Sequence, residues 1–246
     1  MRKTAYIVWT CVGIGITISL LVASVLMGYR MTPTSTPCTS LVYVIEDRDE
    51  RMYLTESELT QMLETADLYP VGRAQNAVSI NRIEQAVRCH PMVRTAECDI
   101  TPRNEVRICV TQRQPLLRVQ TPAEMYFIDT DRRVMPVRAS IKDRVMLANG
   151  TIGVQMASKT LADFAEWLEN NDYWCSRVHH VHVASPQMVY LYLRNSSARV
   201  VMGNMRGYER KLNKLQTFLT ESSEIIKDKN YTELDVRYRG QVIGRY

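Results

Sequence analysis

The chain has 246 residues, 46% of them hydrophobic, 23% charged and 8% aromatic, with ten glycines and nine prolines. That composition excludes fibrous and low-complexity classes, and the length suits one or two domains. The formal charge is +5, but Arg2, Lys3 and Arg30 all precede the first acidic residue, Glu46, which leaves +2 for everything after residue 30. So even a balance argues against a polyanion-binding protein.

Thr4 to Tyr29 carry no charge, and residues 5–28 are long enough to cross a hydrocarbon core as one helix. The run exceeds the 7–15 residues or so of a signal-peptide core, and no Ala-x-Ala cleavage site follows it. A retained span is therefore expected, with residues 1–4 as a tail. Arg2 and Lys3 outweigh Arg30, so the positive-inside bias sets that tail in the cytoplasm and the rest beyond the membrane.

Residues 29–40 are rich in Thr, Ser and Pro and read as a stalk. Leu41–Ile45 follows as a β-branched and aromatic strand. Thr55 with Glu58 forms a capping box, opening a helix with Leu59, Met62 and Leu63 on one face. Ser79 caps a second helix carrying Ile80, Ile83 and Val87, which Pro91 ends. Residues 93–100 and 105–111 alternate around the turn Thr101–Asn104, a hairpin. Residues 41–115 thus make a small α+β domain.

After Pro115 the pattern shifts to short strands. Residues 124–128 and 133–137 flank Asp129-Thr-Asp131-Arg132 as another hairpin. A helix from Ser158 carries Leu161, Phe164, Ala165 and Leu168 and stops at Asn170-Asn171. Residues 177–183, 188–194 and 198–202 read as an antiparallel meander. Tyr208, Leu212, Leu215 and Leu219 mark a last helix, and Thr232–Tyr238 a closing strand with Leu234, Val236 and Tyr238 on one face. Residues 116–246 are therefore expected to be a β-rich domain with an antiparallel sheet and two helices.

Catalytic signatures are missing: there is no Gly-x-Ser-x-Gly elbow, Walker loop or dinucleotide fingerprint. His180 and His182 share one strand face with His179 beside them, which makes a metal-dependent surface hydrolase the alternative reading; a catalytic zinc wants a third protein ligand, and none stands at suitable spacing. Neither a cofactor nor a resident metal is expected. Cys38, Cys89, Cys98, Cys109 and Cys175 lie beyond the span, without a Cys-x-x-Cys. Cys98 and Cys109 fall on opposite faces of their hairpin, which argues against a bridge between them. Asn149, Asn195 and Asn230 each open a glycosylation sequon, so a eukaryotic type II protein is a third reading. What remains is edge chemistry. The closing strand lies near a sheet edge, where an added partner strand would gain register from backbone hydrogen bonds and selectivity from side chains such as Tyr238.

The order of parts resembles the bacterial cell-division FtsQ (DivIB) family. His90-Pro-Met-Val93 is similar to that family's His-Pro-Trp-Val, and residues 107–115 to its strand leading to a Glu-x-x-Pro boundary, with Gln112 in the acidic place. Tyr126-Phe-Ile-Asp129 resembles its Tyr-Tyr-Ile-Asp hairpin. Lys211-Leu-x-Lys-Leu215 and residues 231–243 resemble the last helix and last strand of Bacteroidetes members. Met92 replaces an aromatic residue, and Arg132 and Arg133 stand where the family's Asp-x-x-Gly turn has its glycine. The resemblance implies a non-enzymatic divisome scaffold of the inner membrane. Its POTRA domain would support recruitment to the septum, and its periplasmic β domain would bind the FtsB–FtsL complex by strand addition. Carried over by position, the contacts are Arg237, Tyr238, Gly240 and Gln241, with Leu234 and Val236 supporting them from the core.

Overall fold

The computed structural model describes residues 18–22, 24, 36–46, 53–141, 145–194, 196–221 and 231–246. Most of the expected span, residues 5–28, lies outside these, although residues 18–22 and 24 are helical. Among the described residues no helix is long and apolar enough to cross a membrane.

The amino-terminal domain follows the sequence periodicity closely. Strand β1 (Ser40–Ile45) pairs in parallel with β3 (Glu105–Gln112), which pairs antiparallel with β2 (Val93–Ile100), giving the order β1-β3-β2. Helices α1 (Glu56–Thr65) and α2 (Ile80–Arg88) cover one face. The capping box forms as its spacing predicts: the Glu58 amide donates to Thr55 Oγ1 and the Thr55 amide donates to the Glu58 carboxylate. Ser79 occupies the N-cap of α2, but its side chain caps nothing. Leu59, Leu63, Ile83, Val87, Val106, Ile108 and Val110 form the core. Each such side chain contributes about 1.5–3 kcal/mol when removed from water. Cys38, within the segment read as stalk, is buried in this core and its amide donates to Arg73 O, while exposed Pro37 forms an isolated bridge to Ala74.

The second domain corrects the expected antiparallel sheet. Its nine strands form one mixed sheet, ordered β12-β11-β10-β9-β8-β7-β4-β5-β6. The added strands are β4 (Pro115–Gln120) and β7 (Met146–Gly150). They accompany β5 (Met125–Asp129), β6 (Val134–Pro136), β8 (Val178–Ser185), β9 (Met188–Leu193) and β10 (Arg199–Gly203), with β11 (Glu233–Asp235) and β12 (Ile243–Arg245) closing the chain. Three pairs are parallel: β4 with β7, β7 with β8, and β10 with β11. For the last two pairs the cause is a helical crossover. Helix α3 (Ala162–Glu169), preceded by a π-turn at Ala157–Leu161, links β7 to its neighbour β8, and helix α4 (Tyr208–Glu221) links β10 to its neighbour β11. A helix long enough to cross back brings the next strand in parallel. Both helices pack on the same face, where Phe164 and Trp167 meet Tyr208 at centroid distances of 5.0 and 5.6 Å. Phe164, Leu168, Trp174, Val181, Leu191, Leu212 and Leu215 belong to the core beneath.

Candidate functional site

The closing segment does not run as one strand. Glu233–Asp235 alone pairs in parallel with β10; Val236 donates its amide to Val201 O, and the chain then leaves the sheet. It turns through Arg237–Gly240, where Gly240 has φ +73°, and returns as β12 antiparallel to β11. The expected docking strand is thus enclosed between β10 and β12, and the outermost position passes to Ile243–Arg245. Two factors explain the shift. Gly240 opens the left-handed turn that reverses the chain, and Val242 packs against the core. A glycine two residues after a strand's last aromatic was the sequence signal for this hairpin.

The six residues expected at the site separate accordingly. Leu234 and Val236 are buried core residues. Arg237 folds back on Asp235: its backbone amide and Nε each lie 3.0 Å from Asp235 Oδ1, and a terminal nitrogen lies 2.6 Å from Oδ2. Burial pushes the Asp235 carboxyl up, but the Arg237 bonds outweigh it and leave the pKa below its ordinary value. The stem of Arg237 lies so close to Gly203 that a Cβ there would fall 2.9 Å from Arg237 Cδ. Tyr238 is 49% exposed, and Gly240 and Gln241 are exposed beside it in the turn. Ile243 on the outer strand and Tyr246 just after it are also exposed. A ladder Arg199–Glu233–Arg245 crosses β10, β11 and β12, with both ion pairs at 2.8 Å.

A groove of about 450 Å³ runs between α4 and the Val236–Gly240 turn. Arg206, Arg210, Lys211, Lys214, Arg237 and Arg239 line it with Tyr238, and among the described residues no acidic side chain does. The two lysines are committed to backbone: Lys211 Nζ donates to Met202 O (2.9 Å) and Asn204 O (2.6 Å), and Lys214 Nζ to Val236 O (3.0 Å) and Tyr238 O. Burial pulls both lysine pKa values down. Among the described residues Arg206, Arg210 and Arg239 face no carboxylate in an ion pair, and their guanidinium groups line the groove.

Gly244 makes the outer strand sensitive to a single methyl group. A Cβ there would lie 2.2 Å from Cε1 of Tyr231, whose ring stacks on Tyr246 at 4.9 Å. Gly244→Ala is expected to push Tyr231 aside and loosen β12, read as roughly tenfold faster hydrogen exchange in β11 and β12 with β9 unchanged.

The histidines do not assemble into a metal centre. His180 Nδ1 lies 2.8 Å from His179 Nδ1, and the His180 ring stacks on Tyr192 at 4.3 Å. His182 Nδ1 meets Asn149 Oδ1 at 2.7 Å instead. Burial, reinforced by His179 and His182, lowers the His180 pKa. Among the described residues no three His, Cys, Asp or Glu side chains gather where they could hold a metal. The five described cysteines are free; Cys98 pairs with Ile108 and Cys109 with Glu97 in register, which puts them on opposite faces. Burial pushes the Cys98 thiol up to about 12. Asn149 sits within β7 and is engaged by His182, unlike a sequon displayed on a loop.

A two-layer α+β domain followed by a mixed sheet with its helices on one face defines a POTRA-plus-β-domain protein. Residues 36–111 match the POTRA-like domain family, and residues 114–245 match the family described as FtsQ/DivIB, C-terminal related. The chain belongs to the FtsQ/DivIB family, whose members are non-enzymatic cell-division scaffolds. No curated protein matches the sequence significantly.

Proposed function

We propose that this chain is a divisome scaffold that binds the FtsB–FtsL complex by strand addition to its β domain and so supports septum assembly. Strand β12 is the docking edge. In this reading residues 5–28 anchor it in the inner membrane as a single-pass type II protein, its two domains lie in the periplasm at the division septum, and the POTRA-like domain engages other septal proteins. The observation that carries the reading is the outermost β12 beside exposed Tyr238 and a groove lined by basic side chains. A sheet edge offers main-chain donors and acceptors to an incoming strand, and neighbouring side chains select which strand docks. Tyr238 supplies an amphipathic ring of the kind that dominates interface energetics.

Tyr238→Ala is the direct test. Its ring is half exposed and belongs to neither core cluster of the described residues, so the melting temperature should hold while affinity for purified FtsB–FtsL falls about tenfold, or ~1.4 kcal/mol. Unchanged affinity in a biosensor titration would refute Tyr238 as a contact.

A further inference from the structure

The turn between β5 and β6 ties β2 of the POTRA-like domain and α3 of the β domain together through Asp129, Asp131 and Arg132. Asp129 is buried; its Oδ2 accepts from Arg113 (2.8 Å), and its Oδ1 accepts the Arg133 amide (2.6 Å). Arg113 Nε in turn donates to Val93 O of β2 at 3.0 Å. Asp131 takes both nitrogens of a fork from Arg94 on β2, each at 2.8 Å. Arg132 points the other way, to Asp163 (3.0 Å) and Glu166 (2.5 Å) on α3. It does so from φ +65°, a left-handed conformation that costs a non-glycine residue about 1 kcal/mol or more. Such a conformation persists when its surroundings over-determine it, and here two carboxylates do.

Apolar packing runs alongside these bonds. Phe127 of β5 and Met135 of β6 are buried in the core cluster of the POTRA-like domain, although both strands belong to the large sheet. Farther along, Arg138 reaches Glu58 (2.6 Å) and Tyr53 O (3.2 Å). The contact therefore has an ion pair at each end and apolar side chains between.

We infer that this hairpin is an interdomain lock. It makes the two domains one rigid body and fixes, within the chain itself, the angle between the POTRA-like domain and the β12 edge. The buried Arg113–Asp129 pair and the more exposed Arg94–Asp131 fork are directional bonds, which specify a single arrangement where apolar contact alone tolerates sliding. Past the turn, α3 carries Phe164 and Trp167 against Tyr208, the first residue of α4, and α4 walls the basic groove. The lock stands whatever docks at that edge.

The two exposed described cysteines lie one in each domain, Cys89 and Cys175, and serve as sites for paired spin labels. In the full chain in detergent micelles, with Cys11, Cys38, Cys98 and Cys109 replaced by alanine, dipolar spectroscopy should give one narrow distance distribution. Asp131→Arg combined with Arg138→Glu sets like charges together at both ends of the contact and should broaden it. Adding Arg94→Asp restores opposite charges at one end and should narrow it again. Should the reversed chain lose its far-ultraviolet dichroism, Asp131→Ala with Arg138→Ala makes the same comparison. A broad distribution in the unreversed chain, a narrow one that survives both reversals, or no recovery on adding Arg94→Asp would each overturn the lock.

Discussion

Gly150→Ala should lower the melting temperature of the β domain by roughly 8–16 °C, while Gly153→Ala, three residues on, leaves it in place. Gly150 ends β7 at φ +108°, in a region that side chains rarely adopt. A Cβ there would fall 2.2 Å from Val183 O, a backbone atom of β8 that also accepts the Thr151 amide at 2.7 Å. Neither atom is the end of a flexible side chain, so the parallel β7–β8 pairing must open. Backbone strain plus loss of that ladder is worth about 4 kcal/mol, the upper range for single substitutions. At Gly153 nothing lies within 4 Å of the added methyl group, and no positive φ is involved. Both described tryptophans, Trp167 and Trp174, lie in this domain, so intrinsic fluorescence follows its unfolding. Equal melting curves for the two variants would show that β7 tolerates rearrangement.

Gly150 also marks where sequence reasoning ran short. Met146-Leu-Ala-Asn-Gly150 ends in Asn-Gly, a turn signal, and its central strand neighbours supply stability that its own residues do not advertise. Strand β4 was hidden by Pro115, which reads as a boundary but occupies the first position of a strand, where proline is tolerated. Elements with strong periodicity were plain: α1 with its capping box, α2 through Ile83 and Val87, and the hairpin β2–β3 with Cys98 and Cys109 on opposite faces. Parallel pairing was legible in principle, since β7-α3-β8 and β10-α4-β11 each place one helix between adjacent strands. Periodicity alone reports faces and not neighbours, so the meander β8–β10 was extended to an antiparallel sheet throughout.

The site was legible as chemistry more than as geometry. Leu234 and Val236 alternate with polar residues, which correctly assigns them to the core. Alternation then carries Tyr238 along as a strand residue, whereas Arg237 has already left the ladder to hold Asp235. The groove was invisible because its basic residues come from two separated stretches, Arg206–Lys214 and Arg237–Arg239, which only α4 packing brings together. The missing turn glycine was noticed at Arg132, and its consequence appears only in three dimensions. The arginine keeps the left-handed backbone and spends its charge on Asp163 and Glu166.

Reversing the guanidinium charge of the groove should have the largest effect on partner binding. Arg206→Glu, Arg210→Glu and Arg239→Glu together change the local charge by six and should weaken FtsB–FtsL binding about 100-fold near physiological salt, or ~2.8 kcal/mol. These three are chosen because Lys211 and Lys214 hold backbone carbonyls and Arg237 holds Asp235, so replacing those would damage the fold first. The sign follows from a groove that among the described residues has a basic and no acidic lining: a docking segment bearing carboxylates gains attraction in the native chain and meets repulsion in the variant. Exposed charges are screened over about 8 Å at 0.15 M salt, so the native affinity should fall as salt rises and the variant's should rise or stay level. Most of the loss should appear in the association rate, as expected for steering by peripheral charge. A triple variant with native affinity and native salt slope would exclude the groove from the interface while leaving strand addition at β12 to stand or fall on Tyr238→Ala.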